Sequence, residues 1–190
     1  MVILQLYDQQ KYMFDNRKHT VENRIVSISQ PHIRPIVRGK TKVPTEFGAK
    51  VEISVINGYV RMEKLSCDAY NELESLIPIM EAYKTRNGFY PERVLADKIY
   101  RKNLNYCKEN GISITEPALG RPKKNKTKAE KNQEYVDICE SNEVEGKFDT
   151  AKTKYDLARI FADLKETAEY VINMGFFVMN LVGVKKLTDR

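Results

Sequence analysis

The pattern of apolar and polar residues changes period several times along the chain, which predicts both helices and strands. Strict alternation over 25–29 predicts a half-buried strand. Two further strands are predicted over 47–56 and 59–65. The Asn57-Gly58 pair between them is a strong signal for a tight antiparallel hairpin.

The remaining segments predict helices with short strands between them. Helices are predicted over 4–16, 71–86 (interrupted near Pro78 and ended by Asn87-Gly88), 100–110, from 135 onwards and over 164–184, with strands over 93–96 and 112–115. Helices and strands that alternate after a hairpin predict an α/β fold with a mixed sheet. The apolar run 170–184 contains Asn173 and Asn180 and is shorter than the roughly 20 residues of a spanning helix, so a buried amphipathic helix is favoured over a membrane segment.

Composition narrows the class of protein. The 190 residues are 42% hydrophobic and include 11 Tyr and 7 Phe, which excludes disorder throughout. Cys67, Cys107 and Cys139 lie far apart and form no CxxC pair. This spacing argues against a disulfide framework and a zinc site, and it favours a reducing, cytoplasmic setting.

Two basic stretches give the clearest indication of a partner. The first is 34–42, where Arg34, Arg38, Lys40 and Lys42 lie within nine residues without an acid. The second is 121–131, a predicted loop that includes Lys123 and Lys124 and has one acid, Glu130. With a net charge of +6, these stretches indicate a polyanion such as nucleic acid, while ordinary solvated loops remain the alternative.

Two acids stand out by position. Asp97 follows a short apolar strand, where α/β enzymes place reactive groups, although it could simply cap the next helix. Glu145 lies on a late helix among lysines, where a solvated charged face is the alternative. His19 and His32 have no partners at metal-ligand spacing, and no Gly-rich phosphate loop or HExxH is present.

Six segments together resemble a bacterial insertion-sequence transposase of the DDE type. They are RIVSISQPHIRPIVRGK from Arg24, EFGAK from Glu46, DAYNE from Asp68, YPERVLADKIYRKNLNYCKENGI from Tyr90, ALGRPKK from Ala118 and NEVEGKFDTAKTKYDLARI from Asn142. The resemblance runs through nearly the whole chain. It implies a ribonuclease H-like mixed sheet with flanking and C-terminal helices, in which acids from a first strand, a fourth strand and a late helix meet.

The chemistry that the resemblance implies is two-metal phosphoryl transfer on double-stranded DNA, at inverted repeats and in target DNA. Three carboxylates would hold two Mg²⁺ ions. Asp97 corresponds to the second acid and Glu145 to the third. Lys152, seven residues further on the same helix face, corresponds to a lysine that contacts the DNA end. Arg34, Arg38, Lys40, Lys123 and Lys124 are the other expected DNA contacts.

Some positions depart from the family pattern. Gln30 stands where the first Asp is expected, which leaves Glu46, Glu52 and Asp68 as candidates by proximity. Ser141 stands four residues before Glu145, where family members often carry Arg. Family members also have an N-terminal DNA-binding region, so this chain resembles a truncated copy.

The expected organisation is an N-terminal helical segment (1–23), a ribonuclease H-like sheet core (24–116), a basic loop (117–134) and C-terminal helices (135–190). The expected protein works in the bacterial cytoplasm, associated with the nucleoid and away from membranes, with a homo-oligomer on DNA as one arrangement. Two alternatives stay open. One is a non-catalytic remnant that only binds DNA, and the other is an interaction protein whose basic loops serve solubility.

Overall fold

The computed structural model describes residues 1–37, 45–68, 70–96, 98–115 and 127–188. Helices and strands are mixed, which is compatible with the α/β prediction. The elements in chain order are α1 (Val2–Asp15), β1 (Pro35–Val37), β2 (Thr45–Phe47), β3 (Lys50–Ile56), β4 (Tyr59–Ser66), α2 (Leu76–Asn87), β5 (Arg93–Leu95), α3 (Leu104–Glu109), β6 (Ser113–Thr115), α4 (Lys128–Lys154) and α5 (Lys165–Thr188). Short 3₁₀ helices cover Glu72–Glu74 and Lys98–Asn103.

The chain divides into two compact units. The first unit comprises residues 1–70 and 150–190, and the second unit comprises 71–149. Among the described residues the strands pair as three two-stranded sheets: β1–β2 and β3–β4 are antiparallel, and β5–β6 is parallel. The ribonuclease H-like sheet and the division of the chain into four segments stay predictions.

The core of the first unit forms where α5 packs on the β3–β4 hairpin. The hairpin turns at Asn57 and Gly58, which both have positive φ (52° and 81°), so the predicted Asn-Gly turn is confirmed. The buried residues of this cluster are Val60, Ala151, Ile172, Phe176 and Met179. Since Phe176 and Met179 come from α5, the last helix supplies much of this core.

One side chain ties α5 to β4 by hydrogen bonds. The Asn180 Oδ1 accepts from the backbone N–H of Val60 at 2.9 Å, and its Nδ2 donates to the Val60 carbonyl at 2.7 Å. Val60 is 4% exposed, so both backbone groups are shielded from solvent. The amide thereby satisfies two shielded backbone groups of β4.

Helix α5 is apolar on more than one face. It buries Ile172 and Phe176 but leaves Phe177 and Leu181 more than half exposed. The predicted burial is therefore confirmed for one face, while the amphipathic pattern is weaker than expected. By length and composition alone, Lys165–Lys185 would pass as a membrane span, with mean hydropathy 1.3 and 22% of the window buried, but core helices of soluble proteins pass the same test.

The second unit has its own apolar cluster. Its buried residues are Leu76, Met80, Cys107 and Ile112. Val94 of β5 and Ile114 of β6 pack against them, so the parallel strand pair rests on α2 and α3.

The strand predicted over 25–29 is wrong, because this segment forms no strand in the structure. Side chains take the N–H of its first residue and the N–H of the residue that follows it. The N–H of Ile25 donates to Gln9 Oε1 at 2.9 Å, and the N–H of Gln30 donates to Ser27 Oγ at 3.1 Å. These bonds satisfy groups that a sheet ladder would otherwise use.

Two other element boundaries differ from the sequence prediction. Gly48, with φ of +137°, separates β2 from β3 where one strand was predicted. The predicted helix over 71–86 is a 3₁₀ helix followed by α2. Pro78 is the third residue of α2, a position whose N–H has no intrahelical partner, so it does not kink the helix.

Helix α4 begins at Lys128, so the predicted loop is wrong for residues 128–134, while 116–126 lie outside the described residues. Thr127 and Glu130 explain the earlier start. The Glu130 Oε2 accepts from the Thr127 N–H at 2.7 Å, and the Thr127 Oγ1 accepts from the Glu130 N–H at 3.2 Å. This reciprocal pair is a capping box, which favours a helix start at Lys128.

Candidate functional site

Glu145 lies on the long helix α4 and its side chain is exposed to solvent. Two residues before it, Glu143 is 3.8 Å from Lys147 one turn on, which forms an i,i+4 ion pair on the same helix. Carboxylate oxygens are the ligands that Mg²⁺ prefers. Glu145 is therefore accessible to a hard cation, and its role as the third acid stays a prediction.

Asp97 lies outside the described residues, so the structure does not test its pairing with Glu145. The strand that leads to it in the sequence is well defined. β5 pairs in parallel with β6, from Arg93 opposite Ser113 to Leu95 opposite Thr115. The Ala96 N–H also donates to the Thr115 carbonyl at 3.3 Å, which continues the pairing to the residue before Asp97.

Arg93 connects β5 to α4 through both arms of its guanidinium. Its Nη1 donates to Asp137 Oδ1 and its Nη2 donates to Glu140 Oε2. Asp137 also accepts from Gln133 Nε2 at 2.8 Å, which helps to orient its carboxylate. We call these four residues the Arg93 clamp. Sequence reasoning missed it, although two acids three residues apart on a predicted helix could have indicated a shared basic partner.

Gln30, at the position expected for the first acid, is a structural hydrogen-bond donor. Its Nε2 donates to the carbonyls of Ile160 at 2.8 Å and Ala162 at 2.9 Å. Because both partners only accept hydrogen bonds, the group facing them has to be the amide nitrogen. A carboxylate at this position would be repelled by both oxygens.

The three alternative first acids all lie in the first unit. Glu46 is on β2, opposite Ile36. Glu52 is on β3, opposite Lys64, at a bulge in the ladder. Asp68 follows β4, is 67% exposed at its side chain and lies 3.9 Å from Arg34 Nε. None of these placements identifies the first metal ligand.

The predicted DNA contacts fall in different settings. Lys152 is exposed in the last turn of α4. Arg34 is mostly buried at its side chain, and its Nη1 donates to the carbonyls of Pro31 and Ile33. Arg34 therefore has a local role in holding its own loop. Arg38, Lys40, Lys123 and Lys124 lie outside the described residues.

Within the described part of the chain, no group of three or more His, Cys, Asp and Glu side chains could hold a metal ion. Glu145 has the right donor chemistry for Mg²⁺ but supplies one ligand. Cys67 and Cys107 are buried, and burial raises the pKa of both thiols, whereas Cys139 is exposed. The thiols therefore offer no alternative metal centre in this part of the chain.

A second polar cluster joins α2 to α3 through one carboxylate. The phenols of Tyr106 and Tyr90 both donate to Glu81 Oε1, at 2.5 Å and 2.7 Å. These hydrogen bonds lower the pKa of Glu81, while burial and the bond to Glu81 raise the pKa of Tyr106. A phenol with a raised pKa is a poor nucleophile, so the cluster is better explained as a structural tie.

Residues 94–182, just under half of the chain, match the family model of the transposase DDE domain. The match supports a DDE transposase and a transposase function, which implies DNA as the substrate. The matched range includes Asp97, Glu145 and Lys152. It does not include Arg34 or Gln30. No curated protein and no solved structure matches the chain.

Proposed function

We propose that this chain contains the catalytic domain of a DDE transposase, which cleaves and joins DNA strands at the ends of an insertion sequence. The observation that carries the proposal is the family match over 94–182, since it includes both acids that the sequence singles out, Asp97 and Glu145. The proposed protein acts in the bacterial cytoplasm on nucleoid DNA and assembles as a homo-oligomer there. Its proposed catalytic fold is ribonuclease H-like.

Asp97 and Glu145 are the proposed holders of divalent metal, which DDE transposases usually use. When bound, Mg²⁺ supplies Lewis-acid stabilisation of charge on phosphoryl oxygens. The exposed position of Glu145 on α4 leaves its carboxylate accessible to such an ion. Lys152, Arg38, Lys40, Lys123 and Lys124 are proposed to contact DNA phosphates, with Arg34 shaping the loop from which the first basic stretch continues.

The test is nicking of supercoiled DNA that carries the flanking inverted repeats, with Mg²⁺ or Mn²⁺. Asp97→Asn and Glu145→Gln should each abolish nicking. Glu143→Gln, a matched acid two residues away on the same helix, should cut as the parent does. Nicking by the parent that survives both substitutions would contradict the proposed site.

A DNA-binding remnant without catalytic activity is the second candidate, and Gln30 favours it. The Gln30 amide is committed to the carbonyls of Ile160 and Ala162, so the expected position of the first acid supplies no carboxylate. This candidate predicts salt-sensitive DNA binding by the parent chain and no nicking with either metal. Metal-dependent nicking by the parent that is lost in Glu145→Gln would contradict this candidate.

A further inference from the structure

We propose that Arg93 is a positioning residue for the metal site, which holds α4 against β5 so that Glu145 stays where the metal binds. The inference rests on the proposed function. It concerns a residue outside the match, since Arg93 is the residue before the matched range begins. Its support comes from the Arg93 clamp (Arg93, Gln133, Asp137 and Glu140).

The clamp has the geometry of a specific tie. The two arms of one guanidinium reach two carboxylates that lie three residues apart, so both face the same side of α4. The side chains of Arg93, Asp137 and Glu140 are 31%, 15% and 42% exposed, so the arm to Asp137 is the better shielded of the two. A partly shielded fork of this kind is more directional than an ordinary surface ion pair.

Apolar packing within the second unit does not duplicate this tie among the described residues, although Ala151 near the end of α4 packs in the cluster of the first unit. The apolar cluster of the second unit draws its members from residues 76–114 and includes no described side chain of α4. Val94, next to Arg93, packs in that cluster and anchors β5. The clamp therefore fixes α4 relative to β5, which is anchored in the apolar cluster of the second unit.

Glu145 lies close enough along α4 to depend on the clamp. It is five residues beyond Glu140, a rise of about 8 Å at 1.5 Å per residue. Metal sites need their ligands within about 0.5 Å of the productive position. A small tilt of α4 after loss of the clamp would move Glu145 by more than that.

Lysine cannot replace Arg93 in this role. A guanidinium directs separate N–H groups from two nitrogens, whereas an ammonium is a compact point charge on a flexible stem. Arg93→Lys therefore keeps the charge and loses the fork. It is the informative variant because it removes the fork and leaves the charge in place.

The test measures Mn²⁺ binding to the full chain by electron paramagnetic resonance, at a temperature where every variant has the parent's circular dichroism. Glu145→Gln should abolish high-affinity binding. Arg93→Lys should weaken it by about tenfold or more, within the range typical for residues that orient metal ligands. The double variant Asp137→Asn with Glu140→Gln should weaken it similarly. Arg61→Lys is the matched control, since Arg61 also lies on a strand near a carboxylate, Glu63 at 3.9 Å.

The outcomes separate the two proposals. No Mn²⁺ binding by the parent chain overturns the proposed metal site and this inference with it. If Glu145→Gln removes Mn²⁺ binding while Arg93→Lys and the double variant keep the parent's affinity, that result overturns this inference alone. A purely structural role for Arg93 predicts a lower melting temperature with unchanged Mn²⁺ affinity, and that result also overturns it.

Discussion

The side-chain amide of Gln30 donates to two carbonyl oxygens that lie 130 and 132 residues further along the chain. It thereby holds the segment after α4 beside the loop before β1. A single atom decides this role, because replacing the amide nitrogen by oxygen removes both donors and adds a charge. With nitrogen at this position the side chain is a structural hydrogen-bond donor, whereas with oxygen it would be a carboxylate that could bind a metal.

Gln30→Glu should destabilise the first unit by about 1–3 kcal/mol, because two carbonyls lose their donor and meet a carboxylate instead. Urea unfolding measured at pH 7 checks this value. Gln10→Glu, on the exposed face of α1, is the matched control and should change stability little. Equal stability of Gln30→Glu and the parent would mean that the amide has no structural role.

At the scale of elements, α5 is held on the hairpin by both packing and hydrogen bonds. Ile172 and Phe176 supply the packing, and Asn180 supplies the bonds to Val60. An asparagine in an apolar run would normally weaken a buried helix. Here it fixes the position of α5 along β4.

Asn180→Leu should lower the free energy of unfolding by about 1–3 kcal/mol, since the buried N–H and carbonyl of Val60 lose their partners. Asn173→Leu on the same helix is the control. Its side chain is exposed and bonds only within the helix, to the Glu169 carbonyl. Chemical denaturation of both variants would contradict the prediction if they unfolded at the same midpoint.

The Glu81 tie between α2 and α3 should make the stability of the second unit depend on pH. The folded state lowers the pKa of Glu81 through the bonds from Tyr106 and Tyr90, so their contribution is present above the unfolded value of 4.5 and is lost as the pH falls through the folded pKa. Burial and the bond to Glu81 raise the pKa of Tyr106, so its contribution is fully present below the unfolded value of 10.0 and is lost as the pH rises through the folded pKa.

The measurement is the difference in unfolding free energy between the parent and Glu81→Gln from pH 3 to 7. This difference should shrink as the pH falls below about 4.5. Glu109→Gln, at an exposed acid that ends the same helix as Tyr106, should show no such pH-dependent difference. A constant difference for Glu81→Gln would exclude the carboxylate as the titrating group.

Sequence patterns predicted the elements whose cause is local. Nearby residues explain three of these elements: the Asn57-Gly58 hairpin, the end of α2 at Gly88, and the short strands β5 and β6. The strand predicted over 25–29 is wrong, and there Gln9 and Ser27 accept from the N–H groups of Ile25 and Gln30, contacts that no alternation reveals. The start of α4 could have been predicted, since Thr127 and Glu130 have the spacing of a capping box.

At the scale of the whole molecule, the candidate site was predicted only in part. Residue type and position along the sequence singled out Glu145, and the structure places it exposed on a long helix. The Arg93 clamp was missed because it joins residues 44 and 47 positions apart, and such pairings depend on the fold. Asp97 lies outside the described residues, so its role stays a prediction.

The excess of basic over acidic residues predicts DNA binding that weakens with salt. Lys123→Gln with Lys124→Gln should reduce the slope of log affinity against log salt by about 0.9 for each lost phosphate contact. Lys11→Gln with Lys18→Gln removes the same charge from the exposed N-terminal region and should leave the slope unchanged. Fluorescence anisotropy over 50 to about 200 mM salt measures both. Equal slopes for the two pairs would mean that the second basic stretch does not touch DNA.

The first unit contains residues from both ends of the chain, so it can fold completely only after the second unit has been synthesised. The cluster residues of the second unit lie between 76 and 114. In the first unit, Val60 is hydrogen-bonded by Asn180, which is synthesised 120 residues later. On the ribosome, the hairpin therefore leaves the exit tunnel long before the helix that covers it. During that interval its apolar face is open to chaperones and to other nascent chains. A stop codon before residue 165 would make this exposure permanent, because it removes α5 and leaves the cluster of the second unit intact.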